Sequence, residues 1–117
     1  MKRDWNVIRS ILKAIEQLPD ENSQIESSMI PEVDPVSAAY NMRLLRDAGL
    51  IKGGCRESIG MPYCFATSMT WEGHELLDTI RTDKAWSRIK SVALEKSIDL
   101  SLSSILQIAS SITGSLL

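Results

Sequence analysis

The stretch Tyr40-Asn41-Met42-Arg43-Leu44-Leu45-Arg46-Asp47-Ala48-Gly49-Leu50-Ile51 decides how this chain is read. It joins a helix to a strand through a glycine. Upstream, Asp34-Pro35 supplies a helix start. The carboxylate can accept from free first-turn amides, and proline suits the first helical position. Val36, Ala39, Met42, Leu45 and Ala48 recur at steps of three, with Tyr40 and Leu44 beside them, so a helix is expected to about Ala48. Gly49 suits the left-handed position after the helix, and Leu50 can fold back on it. Residues 50–52 read as a strand that Gly53-Gly54 breaks. A loop through Arg56, Gly60 and Pro62 and a return strand over 63–67 complete a two-stranded hairpin.

Working outward, residues 4–18 form a first helix with two apolar stripes: Trp5, Ile8, Leu12 and Ile15, then Val7, Ile11, Ala14 and Leu18. Asp4 caps it and Pro19 stops it after Leu18. Residues 19–33 are polar and broken by Pro19 and Pro31, with room for a short strand or turn around 24–27 but no helix signal. Downstream, Thr70 caps a helix to about Arg81 whose apolar face is Leu76, Leu77 and Ile80. Glu72 in its first turn suits the helix dipole. Thr82 or Asp83 starts the next helix, with Ala85, Trp86, Ile89, Val92 and Ala93 on one side. Trp5, Trp71 and Trp86 are expected as core anchors, because aromatic rings contribute large buried areas.

The order helix, helix, hairpin, helix is that of a winged helix-turn-helix. The expected fold class is therefore mainly α with a small antiparallel β wing, plus C-terminal helices. Residues 1–81 form the winged-helix domain and 82–117 a helical extension. The opening stretch resembles the end of the recognition helix and the entry into the wing in ArsR- and MarR-type proteins. There, leucines bury the helix, Ala-Gly makes the exit and Leu-Ile starts the strand. A second segment, Met69-Thr70-Trp71-Glu72-Gly73-His74-Glu75-Leu76-Leu77-Asp78-Thr79-Ile80-Arg81 followed by Asp83 and Trp86, resembles a YjcQ-like family of short phage and bacterial proteins. The opening Met1-Lys2-Arg3-Asp4 before an apolar helix fits the same family. This resemblance covers residues 1 to about 90. It implies a winged-helix domain of unknown function, of phage or prophage origin.

On that reading the expected partner is double-stranded DNA, with the chain acting as a transcriptional regulator. Ser37 and Asn41 would read base edges from the helix, with Tyr40 on the same exposed side. Arg43 and Arg46 would pair with guanine or phosphate, and Lys52 and Arg56 would meet phosphate from the wing. Asp47 and Glu57 lie close enough in sequence to interrupt this positive strip. The bland alternative is an ordinary solvated helix face. The competing functional class is a protein-interaction module, such as a phage protein that binds and inhibits a host defence or transcription factor.

Composition bounds these readings. Hydrophobic residues are 44% and charged residues 24% of 117, as in an ordinary globular domain. Lys plus Arg total 13 against 15 Asp plus Glu, so the chain is not a generally basic nucleic-acid coat. Cys55, Cys64 and the single His74 match no zinc spacing. The two cysteines flank a turn, so a disulfide is possible, but free thiols in a reducing cytosol are the expectation. His74 beside Glu72, Glu75 and Asp78 lacks a nucleophile and an oriented partner, and is expected to pack or hydrogen-bond at the wing–helix junction. Neither catalysis nor a cofactor or metal is expected. The start Met-Lys-Arg-Asp-Trp has no apolar run of a signal peptide behind it, so a cytoplasmic protein is expected.

The tail carries Ile98, Leu102, Ile105, Ala109, Ile112 and Leu116 at steps of 4, 3, 4, 3 and 4, a coiled-coil-like seam. No charge follows Asp99. A homodimer through this helix is the expected use, with packing inside the chain as the alternative. The uncharged run is serine-rich and has no flanking basic cluster, so no membrane span is expected.

Overall fold

The computed structural model describes residues 1–58 and 60–116, apart from the side chains of 57, 58 and 113–116. The chain divides into two compact units, Met1–Leu77 and Asp78–Leu117. It is mainly helical with one small antiparallel sheet.

In the first unit, α1 (Trp5–Glu16) begins where Asp4 accepts from the amides of Asn6 and Val7 at 2.9 and 3.3 Å. Ile8, Ile11, Leu12 and Ile15 are buried. Four such side chains stabilise the unit by about 1.5–3 kcal/mol each. The helix ends two residues before Leu18, with Gln17 as its cap. A short strand, β1 (Ile25–Glu26), and a 3-10 turn at Ser27–Met29 lead to α2 (Pro35–Asp47). Asp34 accepts from the Ser37 amide at 3.1 Å, and Pro35 occupies the first turn. At the far end Gly49 has φ 77°. Its N–H donates to the Arg46 carbonyl, and that of Leu50 donates to Leu45. This double closure returns Leu50 to the core.

The steps of three on α2 do not describe its buried face. Ala38, Ala39, Asn41, Met42 and Leu45 are buried, Val36 is half-buried and Ala48 is exposed. A three-residue step drifts by roughly 60° around a 3.6-residue helix each time, so the two ends of that series leave the buried arc.

The hairpin is longer than the sequence indicates. β2 (Ile51–Ser58) runs straight through Gly53-Gly54, with a register shift between Lys52 and Gly53. Glycine does not break the strand there. A Cβ on Gly53 would lie 2.0 Å from the Phe65 carbonyl oxygen, so only glycine lets the strands close. β3 (Met61–Met69) contains Pro62, at a level where β1 is absent and β3 has β2 alone beside it. Proline is tolerated at such a half-free position. β1 adds to the other side of β3, with Ile25 opposite Ala66 and Glu26 opposite Phe65, giving the order β1-β3-β2.

Cys55 and Cys64 are not free thiols. They face one another across β2 and β3 with Cα atoms 4.0 Å apart and form a disulfide. The continuous strand through Gly53-Gly54 sets that register, which the broken-strand reading does not contain.

Thr70 links three elements before α3 (Trp71–Ile80). Its hydroxyl donates to the Gly49 carbonyl at 2.7 Å and accepts from the Gly73 amide, while its own N–H donates to Leu50. Trp71, expected in the core, is 77% exposed, because it stands on the side of α3 opposite Leu76, Leu77 and Ile80. Trp5 is half-buried with the Arg3 guanidinium 4.9 Å from its ring, and Trp86 is buried.

In the second unit, Thr82 caps α4 (Asp83–Glu95) by accepting from Ala85, and Trp86, Ile89 and Ala93 are buried. α5 (Leu102–Leu116) packs on α4. The expected seam is not a free dimer face. Ile98 lies outside α5, in the turn after α4. Ile105 is fully buried within the chain, together with Ile108, which the seam omits. Leu102, Ala109 and Ile112 are half-buried, and the side chain of Leu116 lies outside the described residues. The cause is the turn at Ser97, which ends α4 and resets the helical phase before α5 begins.

Candidate nucleic-acid interface

α2 carries most of the expected contact residues, and its buried arc sorts them. Asn41 is three residues after Ala38 and four before Leu45, so it falls on the packed side and is fully buried. Its Oδ1 accepts from the Asp4 amide at 2.9 Å, and its Nδ2 donates to the Ser37 carbonyl at 2.9 Å. Asn41 therefore ties the start of α1 to α2 and reads no base. The signal was present in its spacing from Ala38 and Leu45.

Ser37, Tyr40 and Arg43 lie toward the other side of α2 and are half-buried. Arg46 borders the packed arc and is also half-buried. It forms an ion pair with Asp47 at 3.3 Å, so part of its charge is already answered. Lys52 and Arg56 are exposed on β2. Arg56 stands opposite Tyr63 in the hairpin. It lines a groove of about 370 Å³ with Ser27, Ser28, Pro35, Met61, Pro62 and Tyr63. The fold thus brings the wing cation to the first turn of α2, a juxtaposition that spacing alone does not contain.

Carboxylates stand among these cations. Partial burial first, then the hydrogen bond and the charge of Glu26, raise the Tyr63 phenol above its ordinary pKa, and Arg56 opposes the shift. Asp34 caps α2 and Asp47 holds Arg46. The Glu57 side chain lies outside the described residues. The Met1–Leu77 unit carries eight Lys and Arg against eleven Asp and Glu. The expected cations thus stand among carboxylates, inside an acidic unit.

His74 is exposed, in a small groove with Leu18, Thr67, Ser68 and Met69. The expected packing of its ring is therefore not what holds that junction. Thr70 and Gly73 hold it: a Cβ on Gly73 would lie 2.0 Å from the Leu50 carbonyl oxygen. Among the described residues no group of three or more His, Cys, Asp or Glu is placed to hold a metal, and no helix is long and apolar enough to cross a membrane.

Fold and site together give a mainly helical protein with a small three-stranded antiparallel sheet. By sequence comparison the chain belongs to a family of hypothetical proteins, DUF2513, whose pattern it matches over residues 2–99. It is 39% identical to an uncharacterized protein of Haemophilus influenzae, over all of this chain and 99% of that relative. No solved structure matches it. The family is a domain of unknown function, as the resemblance in the Met69–Arg81 segment implied in kind.

Proposed function

We propose that this chain is a winged-helix protein, akin to the YjcQ-like proteins of phage and prophage, that binds double-stranded DNA and regulates transcription in the cytoplasm. One observation carries the reading. α1, β1, the 3-10 turn, α2, β2 and β3 follow in that order, with β1 added outside β3, and α2 exits through Gly49 directly into the hairpin. In this reading α2 is the recognition helix, and the 3-10 turn stands where a full helix would precede it. α2 is roughly 20 Å long, enough to lie in a major groove. Tyr40, Ser37 and Arg43 face the bases, Arg43 and Arg46 reach phosphate, and Lys52 and Arg56 contact the backbone from the wing. The protein binds rather than catalyses, and a second copy pairs with the first by a surface other than Ile105.

A second reading, a protein-interaction module, is favoured by the acidic balance of the Met1–Leu77 unit and by the exposed Trp71. Its partner would be a host protein. The two readings separate in one experiment: binding to mixed-sequence duplex DNA at two salt concentrations, with the oligomeric mass in the same buffer. DNA binding requires salt-sensitive affinity, and Arg43→Ala with Arg46→Ala should lower the salt slope by about 1–2 units while the far-ultraviolet circular dichroism stays unchanged. Absence of binding at low salt removes the DNA reading and leaves the protein partner.

A further inference from the structure

We propose that the Cys55–Cys64 pair is a redox site, opened by a low-molecular-weight thiol, that sets how firmly the two strands of the wing hairpin are closed toward its tip. Its consequence for DNA rests on the reading above; the redox chemistry does not.

Cys64 touches three elements at once. Its sulfur is bonded to Cys55 of β2. Its N–H donates at 3.1 Å to the hydroxyl of Ser27, a buried residue of the 3-10 turn. Its Sγ lies 3.3 Å from the Ala39 carbonyl oxygen of α2. A disulfide sulfur has no hydrogen to donate, whereas a thiol does. The fold therefore already holds an acceptor for the reduced form, so a buried Cys64 thiol is not left unsatisfied. The two sulfurs also differ in access: Cys64 is 1% exposed, while Cys55 is half-buried. Arg56, the wing cation that reaches the first turn of α2, is the next residue after Cys55. The covalent rung thus lies directly beside the group whose position matters for the proposed interface.

The exchange follows from this asymmetry. A small thiol deprotonates, and its thiolate attacks the accessible Cys55 Sγ. The S–S bond breaks, a mixed disulfide forms at Cys55, and the electron pair leaves on Cys64 Sγ. That sulfur takes up the proton lost by the attacking thiol and donates its S–H to Ala39. A second thiolate attacks the mixed disulfide, which releases the oxidised small thiol and leaves Cys55 to be protonated. The protein gains two electrons and two protons from two small thiols. Without the rung, the hairpin beyond residues 55 and 64 loses its one covalent tie among the described residues, and the tip with Arg56 opens more often.

The test uses the full chain equilibrated with glutathione buffers from fully reduced to fully oxidised, acid-quenched, alkylated and weighed. We expect two alkyl groups at the reducing end, none at the oxidising end and one transition between them. Amides of β2 and β3 should exchange with deuterium roughly tenfold or more faster in the reduced protein, with α1 unchanged. The thiol left in Cys64→Ser should react with a chromogenic disulfide reagent roughly a hundredfold faster than the thiol left in Cys55→Ser. Two alkyl groups at every buffer ratio, or equal wing exchange in both forms, would overturn the proposal. Both measurements use the wild-type chain, so poor folding of a variant does not decide the matter. DNA affinity is read in parallel on the two forms. If neither binds, the DNA reading fails, while the exchange rates still decide the redox site.

Discussion

Two helix ends in this chain close with the same pair of backbone hydrogen bonds on different chemistry. After α2, Gly49 donates to Arg46 at 3.0 Å and Leu50 to Leu45 at 2.9 Å. After α4, Ser97 donates to Leu94 at 3.2 Å and Ile98 to Ala93 at 2.8 Å. Each closure needs one residue in the left-handed region, Gly49 at φ 77° and Ser97 at φ 55°. Glycine enters that region without a Cβ penalty, whereas serine meets a cost of about 1–2 kcal/mol. The apolar residue that follows also differs: Leu50 is 5% exposed and Ile98 is 39% exposed. At the first end, moreover, the carbonyls of Gly49 and Leu50 accept from Thr70, so three elements meet there. The same backbone turn is a joint of the fold where its next residue is buried and its carbonyls are used. Elsewhere it only stops a helix.

Shortening the two apolar residues separates the two turns most strongly. Leu50→Ala should cost about 2–5 kcal/mol, and Ile98→Ala no more than about 1 kcal/mol, read from urea unfolding midpoints. Equal losses would mean that the second turn is as much a joint as the first. Next in size is Gly73→Ala. The added Cβ would meet the Leu50 carbonyl at 2.0 Å, and backbone cannot step aside as a flexible side chain can. We expect a loss near the top of the range of about 1–3 kcal/mol for overpacking. An unchanged midpoint would show that α3 can slide away from the joint. Gly49→Ala comes third. Nothing lies within 4 Å of a Cβ there, so its whole effect is conformational, about 1–2 kcal/mol. A larger loss would reveal a clash that the open space excludes.

The two ends also differ in how locally the sequence encodes them. Asp34-Pro35 and Ala48-Gly49-Leu50 are local signals, each tied to one backbone position, and they located α2 to within a residue. Asp4 and Thr82 were legible for the same reason. Ser97 carries no such signal, since serine rarely adopts the left-handed region. The steps from Ile98 onward therefore read as one continuous seam, although a turn resets their phase. Gly53 and Gly73 show the converse. Both are glycines, but what makes them necessary is a carbonyl oxygen distant in sequence, Phe65 for one and Leu50 for the other. Read locally, Gly53 is a strand break, and such a break does not contain the register that joins Cys55 to Cys64.

The candidate interface was legible to the same depth. Choosing α2 and the wing needed only the helix–glycine–strand pattern. Placing Asn41 needed the phase of the helix against its packed side, and a three-step series gave the wrong phase. The approach of Arg56 to Pro35 depends on hairpin length, which no residue near either one encodes.

Ser97 can be given the chemistry of Gly49 at little cost. Ser97→Gly removes the Cβ from the left-handed position and leaves both backbone hydrogen bonds in place, because neither uses the serine side chain. The folded state gains what the Cβ costs, about 1–2 kcal/mol, and part of this is offset by the greater freedom of glycine in the unfolded chain. The net expectation is a gain of about 0.5–1 kcal/mol, seen as a higher unfolding midpoint with an unchanged denaturant slope. A loss of stability would mean that the serine hydroxyl holds this turn. The two ends would then differ in the kind of tie they use and not in its presence.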